Sequence, residues 1–423
     1  MQLLRLFRRN PAYFRLWLGN CMSIMGDVQY NVAVVWFLVS TTGSAVAGSG
    51  IAVGAMLGGM AGGVCAGTTL DAWHPRVVML LADGVRFLAA LAVGVSWLLA
   101  GPPPVIVLYA LAAVLTFCGT YHQAARSSSI PAVVDEDQLI RAGAAESLGS
   151  GLVSAVAWAG SGALIAVLGT GQILLVNAAT FLVPLLLVAA TRWRHTPAAP
   201  EPGARRPMLA AFRWVRRDAL VLRMLTIETL HALVSGLVYA TLPLFVLVLG
   251  GGAGLFGLQG GLSALAILGG SLYLARRADA RAGRFYVLGM AVNAAGVLVM
   301  AASPSVWPFL AGVLVAGLGT PAWNAARQVI FQTAAPEAVR GRVFAMLETA
   351  INVALLPTWA GGAVLADAAG PRLVMLAAPA GYCLILLLVL RTGIARYRTD
   401  RPAPAGEPCP VVPTTLSPPG GPA

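Results

Sequence analysis

The chain has 423 residues, of which 58% are hydrophobic and only 10% are charged, and its mean hydropathy is +0.80. A soluble globular protein has about 25% charged residues, so this composition excludes an ordinary water-soluble enzyme. The net charge of +12 could suit a nucleic-acid partner, but all 28 basic residues are Arg and most of them fall in the breaks between apolar segments or at the ends of those segments. That distribution indicates an integral membrane protein and argues against nucleic acid as a partner.

Twelve apolar segments have about the length that crosses a hydrocarbon core of roughly 30 Å. They are continuously apolar and do not alternate, which favours helices over a β-barrel, so the predicted fold class is an all-α membrane protein. The predicted spans are Phe14–Val39, Ala45–Cys65, Val77–Leu99, Val105–Gln123, Ala144–Val167, Gln172–Ala190, Leu222–Val248, Leu255–Ala275, Phe285–Ala302, Trp307–Ala326, Val343–Leu365 and Leu373–Thr392.

The Arg residues set the predicted orientation. All but Arg86 and Arg372 lie at the termini, at adjoining helix ends or in the breaks after even-numbered spans, and the breaks after spans 1, 3, 5, 7 and 9 carry none. The positive-inside rule therefore predicts a multi-pass protein of the bacterial cell membrane with both termini cytoplasmic. No cleavable signal is predicted, because the first span is longer than a signal core.

A break rich in Arg and Pro divides the spans into two sets of six. The sequence predicts an N-terminal bundle over 1–191, a cytoplasmic loop over 192–217, a C-terminal bundle over 218–394 and a disordered cytoplasmic tail over 395–423. The halves are related, since Ala124-Ala125-Arg126 recurs 201 residues later as Ala325-Ala326-Arg327. Two pseudo-symmetric six-helix bundles built as parallel repeats are typical of transporters.

Both halves begin with a polar stripe on an apolar helix. Four polar residues of the first span recur, 208 positions later, as four polar residues of the seventh span. The two sets are Asn20, Ser23, Asp27 and Asn31, and Glu228, His231, Ser235 and Tyr239. Lipid cannot satisfy such a stripe, so it is predicted to face a cavity between the helices.

Asp27 lies near the middle of the first span, where a carboxylate must be paired, protonated or hydrated. Apolar surroundings favour its neutral form, so Asp27 is the predicted proton-coupling residue, with Glu228 and His231 as further candidates. The alternative is a set of polar helix contacts without a role in transport. Asp83 and Arg86 stand three residues apart in the third span and predict an intramembrane ion pair, either structural or in direct contact with substrate or protons.

Trp158 and Trp359 occupy repeat-related, mid-span positions beside glycine and are candidates for the substrate cavity, although such residues more often serve packing. The five Cys form no CxxC motif, and the four His form no HExxH motif. Accordingly, neither a metal site nor a cofactor is predicted. No phosphate-binding GxxxxGK[ST] loop is present, which argues against direct use of ATP.

The break after the second span resembles the loop signature Gly-x-x-x-Asp-Arg-x-Gly-Arg-Arg of the major facilitator superfamily. It keeps Gly67, Asp71 and Arg76 but has Ala72, His74 and Pro75 where basic residues and glycine are usual. The resemblance implies a major facilitator fold, with twelve helices in two bundles around a central cavity.

Other segments are similar to the drug:proton antiporter branch that includes macrolide exporters and the enterobactin exporter. They are Asn10-Pro11 with Phe14-Arg15-Leu16-Trp17, Gly26-Asp27, Thr42-Gly43-Ser44, Asp83-x-x-Arg86, the run from Ala125-Arg126 through Arg141-Ala142, and Gly341-Arg342-Val343-Phe344. The fifth span departs from the branch, because Trp158-Ala159-Gly160-Ser161-Gly162 lacks the usual Gly-Pro. This departure leaves the direction of transport and its coupling to protons open.

In the family, the residue that matches Asp71 closes the cytoplasmic gate by docking at the start of the eleventh span. Arg340 and Arg342 stand there, and an anion near a helix N-terminus is favourable. Arg76 belongs to the same predicted gate. Glu146 and Glu348, at the predicted openings of spans 5 and 11, either complete it or are ordinary first-turn glutamates.

The sequence therefore predicts a monomeric secondary transporter in the lipid bilayer, which exports a hydrophobic or amphipathic small molecule by proton antiport. An importer or uniporter of the same fold is the first alternative, and a membrane-embedded binding or sensor protein is the second. An enzyme is not predicted, because no catalytic constellation is visible.

The topology can be tested with reporter fusions at both termini, near Arg206 and near Arg281. All four fusions should report a cytoplasmic location, because Arg-rich loops resist translocation. An external location for any one of them would contradict the predicted orientation.

Overall fold

The protein is represented by a computed structural model that describes residues 2–69, 73–134, 138–191, 208–276 and 281–398. The regular structure in these ranges is helical, and twelve of the helices are long and apolar enough to cross a membrane. The predicted fold class is therefore confirmed in its helical character and in its number of spans.

The first six membrane helices are α2 (Pro11–Thr42), α3 (Ala45–Thr69), α4 (Pro75–Ala100), α5 (Val105–Val133), α6 (Leu139–Leu168) and α7 (Thr170–Ala189). The second six are α9 (Ala219–Val248), α10 (Ala253–Ala275), α11 (Ala282–Ala302), α12 (Val306–Ala334), α13 (Glu337–Ala369) and α14 (Pro371–Arg391). A short helix with two Arg in its last turn precedes each set: α1 (Gln2–Arg9) and α8 (Met208–Arg217). Part of the segment predicted as a central loop is thus helical.

Several helices extend beyond the apolar windows. Helix α6 begins five residues before its predicted span, and α13 begins six residues before its span. Backbone hydrogen bonding continues into polar sequence, whereas hydropathy detects only the lipid-embedded length. Glu146 and Glu348 therefore lie about two turns inside α6 and about three turns inside α13. The interpretation of both as first-turn residues is wrong.

Two arginines repeat one structural role in the two halves. Arg15 Nη1 donates to the Ala190 carbonyl at 3.0 Å, and Arg223 Nη1 donates to the Thr392 carbonyl at 3.3 Å. In each half, the first membrane helix thus places a cation at the C-terminal end of the sixth, where the helix dipole favours positive charge. Arg15 and Arg223 are 208 positions apart in the chain, which is the same shift that relates the polar stripes of the two halves.

The two halves meet chiefly toward the Arg-poor end, by which we mean the end opposite the N-terminus of α2. Helices α6 and α10 approach so closely there that a Cβ on Gly162 would lie 2.5 Å from the Ala253 carbonyl oxygen. Small residues permit this approach between membrane helices, so Gly162 serves close packing even without the Gly-Pro, whereas a Cβ on Gly160 would meet open space. Phe256 of α10 also packs on Trp36 of α2 at 5.8 Å and on Trp158 of α6 at 5.9 Å.

A carboxylate connects the two halves at the Arg-poor end. Asp367, near the end of α13, accepts hydrogen bonds from Ser44 Oγ at 2.5 Å, Ala45 N at 2.6 Å and Val46 N at 3.3 Å. The first turn of α3 has unpaired backbone N–H groups and a positive dipole end, so an anion stabilises it. Asp367 thereby fastens the second half to the first.

The predicted domain boundaries stay a prediction. Residues 192–207 and 399–423, which include most of the predicted loop and tail, lie outside the described residues.

Asp367→Asn should open the Arg-poor end more often, because the amide is a weaker acceptor and carries no charge. An anion at a helix N-terminus contributes roughly 0.3–1 kcal/mol, which corresponds to about a two- to fivefold rise in the open population. The measurement is labelling of an Ala363→Cys variant by a membrane-impermeant thiol reagent, in a background without other cysteines. Ser44→Ala, which removes one donor of three, should give a smaller rise; equal labelling of all the variants would contradict the role of Asp367.

Candidate functional site

Two adjoining cavities lie among the membrane helices. The N-terminal cavity, of about 680 Å³, is lined by α2, α3 and α5 of the first half. The central cavity, of about 480 Å³, is lined by helices of both halves, namely α2, α3, α6, α9, α10 and α13. Asp27 and Asn31 line both cavities, so this part of the polar stripe of α2 lies at the junction of the two cavities.

Each polar side chain of the α2 stripe has a partner. Asn20 Nδ2 donates to Glu146 Oε1 at 2.6 Å, and Asn31 Nδ2 donates to the Asp27 carbonyl at 2.9 Å. Ser23 Oγ accepts from Arg86 Nη1 at 2.6 Å. The helical spacing predicts that these residues share a face, and the structure places them together along the N-terminal cavity.

The closest charged partner of Asp27 is Arg86 of α4, whose Nη2 forms an ion pair with Asp27 Oδ1. The Arg86 side chain is 1% exposed, whereas that of Asp27 is 44% exposed, toward the cavities. The Arg86 guanidinium also lies over the Phe181 ring, 4.0 Å from its centroid. A buried cation is thus held by a carboxylate, a hydroxyl and an aromatic face, while the carboxylate stays accessible.

The predicted partners Asp83 and Arg86 lie on one face of α4, with Asp83 Oδ1 at 3.9 Å from Arg86 Nη1. The same oxygen is closer to His122 Nδ1 of α5, at 3.0 Å. Asp83 is 0% exposed and His122 is 3% exposed. His122 is not recognisable as a site residue in the sequence, because a lone histidine near the end of an apolar span has no spacing that relates it to a carboxylate on another helix.

A second buried carboxylate lies in the other half. Glu228 Oε1 accepts from Tyr286 Oη at 2.7 Å and from Trp323 Nε1 at 3.1 Å. Glu228 Oε2 accepts from Arg327 Nη1 at 3.3 Å. Tyr286 and Arg327 were also missed as site residues, although the sequence repeat relates Arg327 to Arg126.

The other members of the α9 stripe are divided between packing and the cavity. The His231 ring packs on Trp323, with centroids 3.9 Å apart, and on Tyr382 at 5.3 Å. Ser235 Oγ donates to the Ala232 carbonyl of its own helix at 3.2 Å. Only Tyr239 of the α9 stripe lines the central cavity.

The predicted aromatic pair does reach the central cavity. Trp158 and Trp359 line it from α6 and α13, and Tyr239 stacks on Trp359 with centroids 6.1 Å apart. Together with Phe256 they give this cavity aromatic lining from both halves, and the Asp27 side chain of α2 also lines it.

The two arginines at repeat-related positions form ion pairs with carboxylates on different helices. Arg126 of α5 pairs with Glu146 of α6 at 2.9 Å, whereas Arg327 of α12 pairs with Glu228 of α9. Glu348, which corresponds to Glu146, is exposed and has no hydrogen bond or ion pair among the described residues. The two halves therefore share the positions of their cations but not those of their anions.

Asp71 lies outside the described residues, so its docking stays a prediction. Arg76 Nη2 donates to the Ala189 carbonyl at the end of α7 at 2.7 Å. Arg340 Nε donates to the Ala335 carbonyl at 3.2 Å, and Arg342 lies in the second turn of α13. Within the described ranges none of these guanidinium groups pairs with a carboxylate.

Membrane-spanning helices in two related halves, with a polar and aromatic cavity between them, define a transporter of the major facilitator fold. A family model described as "Transmembrane secretion effector", MFS_3, matches residues 7–423. The chain belongs to this family. Among curated protein sequences, none matches the chain.

Solved structures show the same fold. A bacterial homologue of the human lysosomal transporter Spinster, inward-facing and unoccupied, has 14% identity and a TM-score of 0.69, covering 92% of this chain and 98% of that chain. A bacterial homologue of the iron transporter ferroportin, inward-facing, has 18% identity and a TM-score of 0.69, covering 92% and 99%. The POT family transporter PepTSo has 12% identity and a TM-score of 0.73, covering 91% and 98%. At these identities the likeness concerns the fold alone.

Glu228→Ala should destabilise the protein, because it leaves Arg327, Tyr286 and Trp323 without their shared acceptor. Breaking a buried ion pair costs about 3–5 kcal/mol. Thermal unfolding in detergent, followed by tryptophan fluorescence, should show a clearly lower midpoint than wild type. Glu348→Ala is the matched control and should leave the midpoint nearly unchanged, since Glu348 is exposed; equal shifts in both variants would contradict the structural role of Glu228.

Proposed function

We propose that this transporter exports a hydrophobic or amphipathic small molecule, such as an antibiotic or a siderophore-like chelator, in exchange for protons. It acts in the bacterial cell membrane as a monomer with both termini in the cytoplasm. The family description as a secretion effector supports outward transport. The distribution of Arg supports the orientation.

The observation that carries the proposal is the Asp27–Arg86 ion pair at the junction of the two cavities. A carboxylate in this position can be reached by protons and by a ligand in the central cavity. When Asp27 is ionised it holds Arg86, and when it is protonated it releases Arg86. Protonation thus changes the contacts between α2 and α4, which is what coupling of a proton to helix movement requires.

The central cavity supports an amphipathic substrate. Trp158, Tyr239 and Trp359 offer aromatic faces for an apolar body, and Gln259, Asn31 and Asp27 offer polar groups for its hydrophilic part. Because these residues come from both halves, bound substrate and the relative position of the halves are coupled.

Glu228 and His231 act as secondary groups in this proposal. Glu228 links α9, α11 and α12 through three hydrogen bonds, so a change in its charge would loosen these helices from one another. Aromatic packing places His231 next to this network through Trp323.

The cytoplasmic gate of the proposal consists of Asp71, Arg76, Glu146, Arg340, Arg342 and Glu348. Arg340 and Arg342 lie in the first turns of α13, where a docked Asp71 would gain from both the dipole and a guanidinium. Glu348 is exposed on the same helix, so it is free to join a closed arrangement.

Asp27→Asn should abolish exchange of substrate for protons while the protein still folds, because the amide mimics a permanently protonated carboxylate. Proteoliposomes that contain a pH-sensitive dye are exposed to a panel of lipophilic cations, macrolides and catechol-type chelators. Wild type should move protons in response to at least one compound, and Asp27→Asn should reduce this response to background. Ser127→Ala, a neutral change in the wall of the N-terminal cavity, serves as the control.

Glu228→Gln should retain part of the response, because the amide still accepts hydrogen bonds. If Asp27→Asn moves protons at the wild-type rate, coupling resides elsewhere and Glu228 becomes the leading residue. If wild type transports a compound without moving protons, the protein is a uniporter.

A further inference from the structure

The carboxylates near Arg86 carry more negative charge than Arg86 alone can neutralise. Asp27 and Asp83 are two carboxylates, and Arg86 is the only guanidinium within 4 Å of either in the described part of the chain. Arg86 is committed to Asp27, with which it makes its shortest contact, and it stands 3.9 Å from Asp83. Asp83 is fully buried, and neither of its carboxylate oxygens accepts a hydrogen bond from the described residues, although Oδ1 lies 3.0 Å from His122 Nδ1. An uncompensated carboxylate in such a place costs several kcal/mol.

His122 is placed to supply the missing charge. Its Nδ1 lies 3.0 Å from Asp83 Oδ1, and its ring borders the N-terminal cavity, from which a proton can arrive or depart. Histidine is a common proton shuttle, because its ring can carry a positive charge or be neutral. With a proton on His122, the cluster of Asp27, Asp83, Arg86 and His122 has no net charge.

Arg86 has room to change partners. Gly119 of α5 presents no side chain toward it, and a Cβ there would lie 3.6 Å from the guanidinium carbon. Its Nε has no hydrogen-bond partner among the described residues, and Phe181 supports the flat face of the group. A movement of about 1 Å toward Asp83 would convert the 3.9 Å separation into a normal hydrogen bond.

We propose that His122 and Asp27 alternately hold one transported proton, and that Arg86 moves between Asp27 and Asp83 as the counter-ion. In the first state of this relay, Arg86 pairs with Asp27, as it does in the structure, and His122 carries the proton beside Asp83. When Asp27 takes a proton from the central cavity, Arg86 shifts to Asp83, and His122 loses its proton to the N-terminal cavity. The cycle closes when the proton on Asp27 passes to His122 along the N-terminal cavity, which both residues line, and Arg86 returns to Asp27. Each state contains one bound proton, so charge balances throughout.

Other ionisable groups leave this count unchanged. The charged residues on α2, α4, α5 and α6 are Asp27, Asp83, Arg86, Arg15, Arg76, Arg141, Arg126 and Glu146. Arg15 and Arg76 bind the Ala190 and Ala189 carbonyls at the end of α7, and Arg141 lies in the first turn of α6. Arg126 and Glu146 form their own ion pair, with Arg126 Nη2 and Glu146 Oε1 at 2.9 Å, and so contribute no net charge. Helix α3, which also packs on α5, contains no charged residue. The proton on His122 therefore depends on Asp27 through Arg86.

The inference rests on the proposed proton antiport, but its main test does not require a known substrate. The protonation state of His122 is read by solid-state NMR of protein labelled with ¹⁵N-histidine in lipid bilayers at pH 7. The chain has four His residues, and His122→Asn identifies the signal. Wild type should show the imidazolium form of His122.

Asp27→Asn should convert His122 to the neutral form, with at least a tenfold fall in the ratio of imidazolium to imidazole, since Arg86 is then free to pair with Asp83. Asp83→Asn should give the same result by removing the carboxylate that holds the proton. Ser128→Ala, at an exposed position of the same helix that lines neither cavity, should leave the wild-type signal unchanged. A neutral His122 in wild type, or an imidazolium that persists in Asp27→Asn, would overturn the relay.

A transport assay distinguishes failure of the His122 relay from failure of the proposed proton antiport. His122→Asn should lose compound-driven proton movement while exchange of the same compound across the membrane continues, because exchange needs no net proton transfer. A wild-type protein without compound-driven proton movement would remove the antiport proposal and leave the NMR result standing. Proton movement at the wild-type rate in His122→Asn would overturn the relay alone.

Discussion

The structure depends on one constraint, which is that a charge within the bilayer must find its partner inside the protein. Arg86 shows how the constraint is met: its guanidinium is 1% exposed and is enclosed by Asp27, Ser23 and the ring of Phe181. These partners come from α2 and α7, so the burial of one cation on α4 brings three helices together. The same side chains border the cavities, because only a cavity can hydrate the exposed side of Asp27.

The constraint is met differently in the two halves. Arg126 and Arg327 occupy repeat-related positions, yet the first takes its carboxylate from α6 and the second takes it from α9. Asn20 stands where the second half has Glu228, and it completes the network around Glu146. Divergence of this kind leaves the fold symmetric, since each cation is still neutralised within its own half. It makes the chemistry asymmetric, since Asp27 reaches the cavities and Glu228 is enclosed by Tyr286, Trp323 and Arg327.

The contacts between the halves are of another kind. Toward the Arg-poor end they consist of glycine contacts between α6 and α10, aromatic rings around Phe256, and the Asp367 cap on α3. Apart from Asp367 these contacts involve no charge, so separating them leaves no buried ion without a partner. The interface between the halves is therefore mainly apolar, while the ion pairs lie inside the halves.

The sequence by itself determined the number of spans, the helical class and the polar face of α2. These features follow from local properties: apolar length, the absence of alternation, and a spacing that returns to one side of a helix. The relation between the halves was also legible, because equal register is a property of the chain. The sequence did not reveal that α6 and α13 begin before their apolar segments, since backbone hydrogen bonding leaves no hydropathy signal.

Only the tertiary structure decided which charges meet. The sequence paired Asp83 with Arg86 because they are three residues apart, but the shortest contact of Arg86 is with Asp27 on another helix. His122 and Asp83 are 39 positions apart in the chain, and no local rule relates them. The choice among partners depends on how α2, α4 and α5 pack against one another. That packing is set by the sum of many contacts across the bundle, which no segment of the sequence contains on its own.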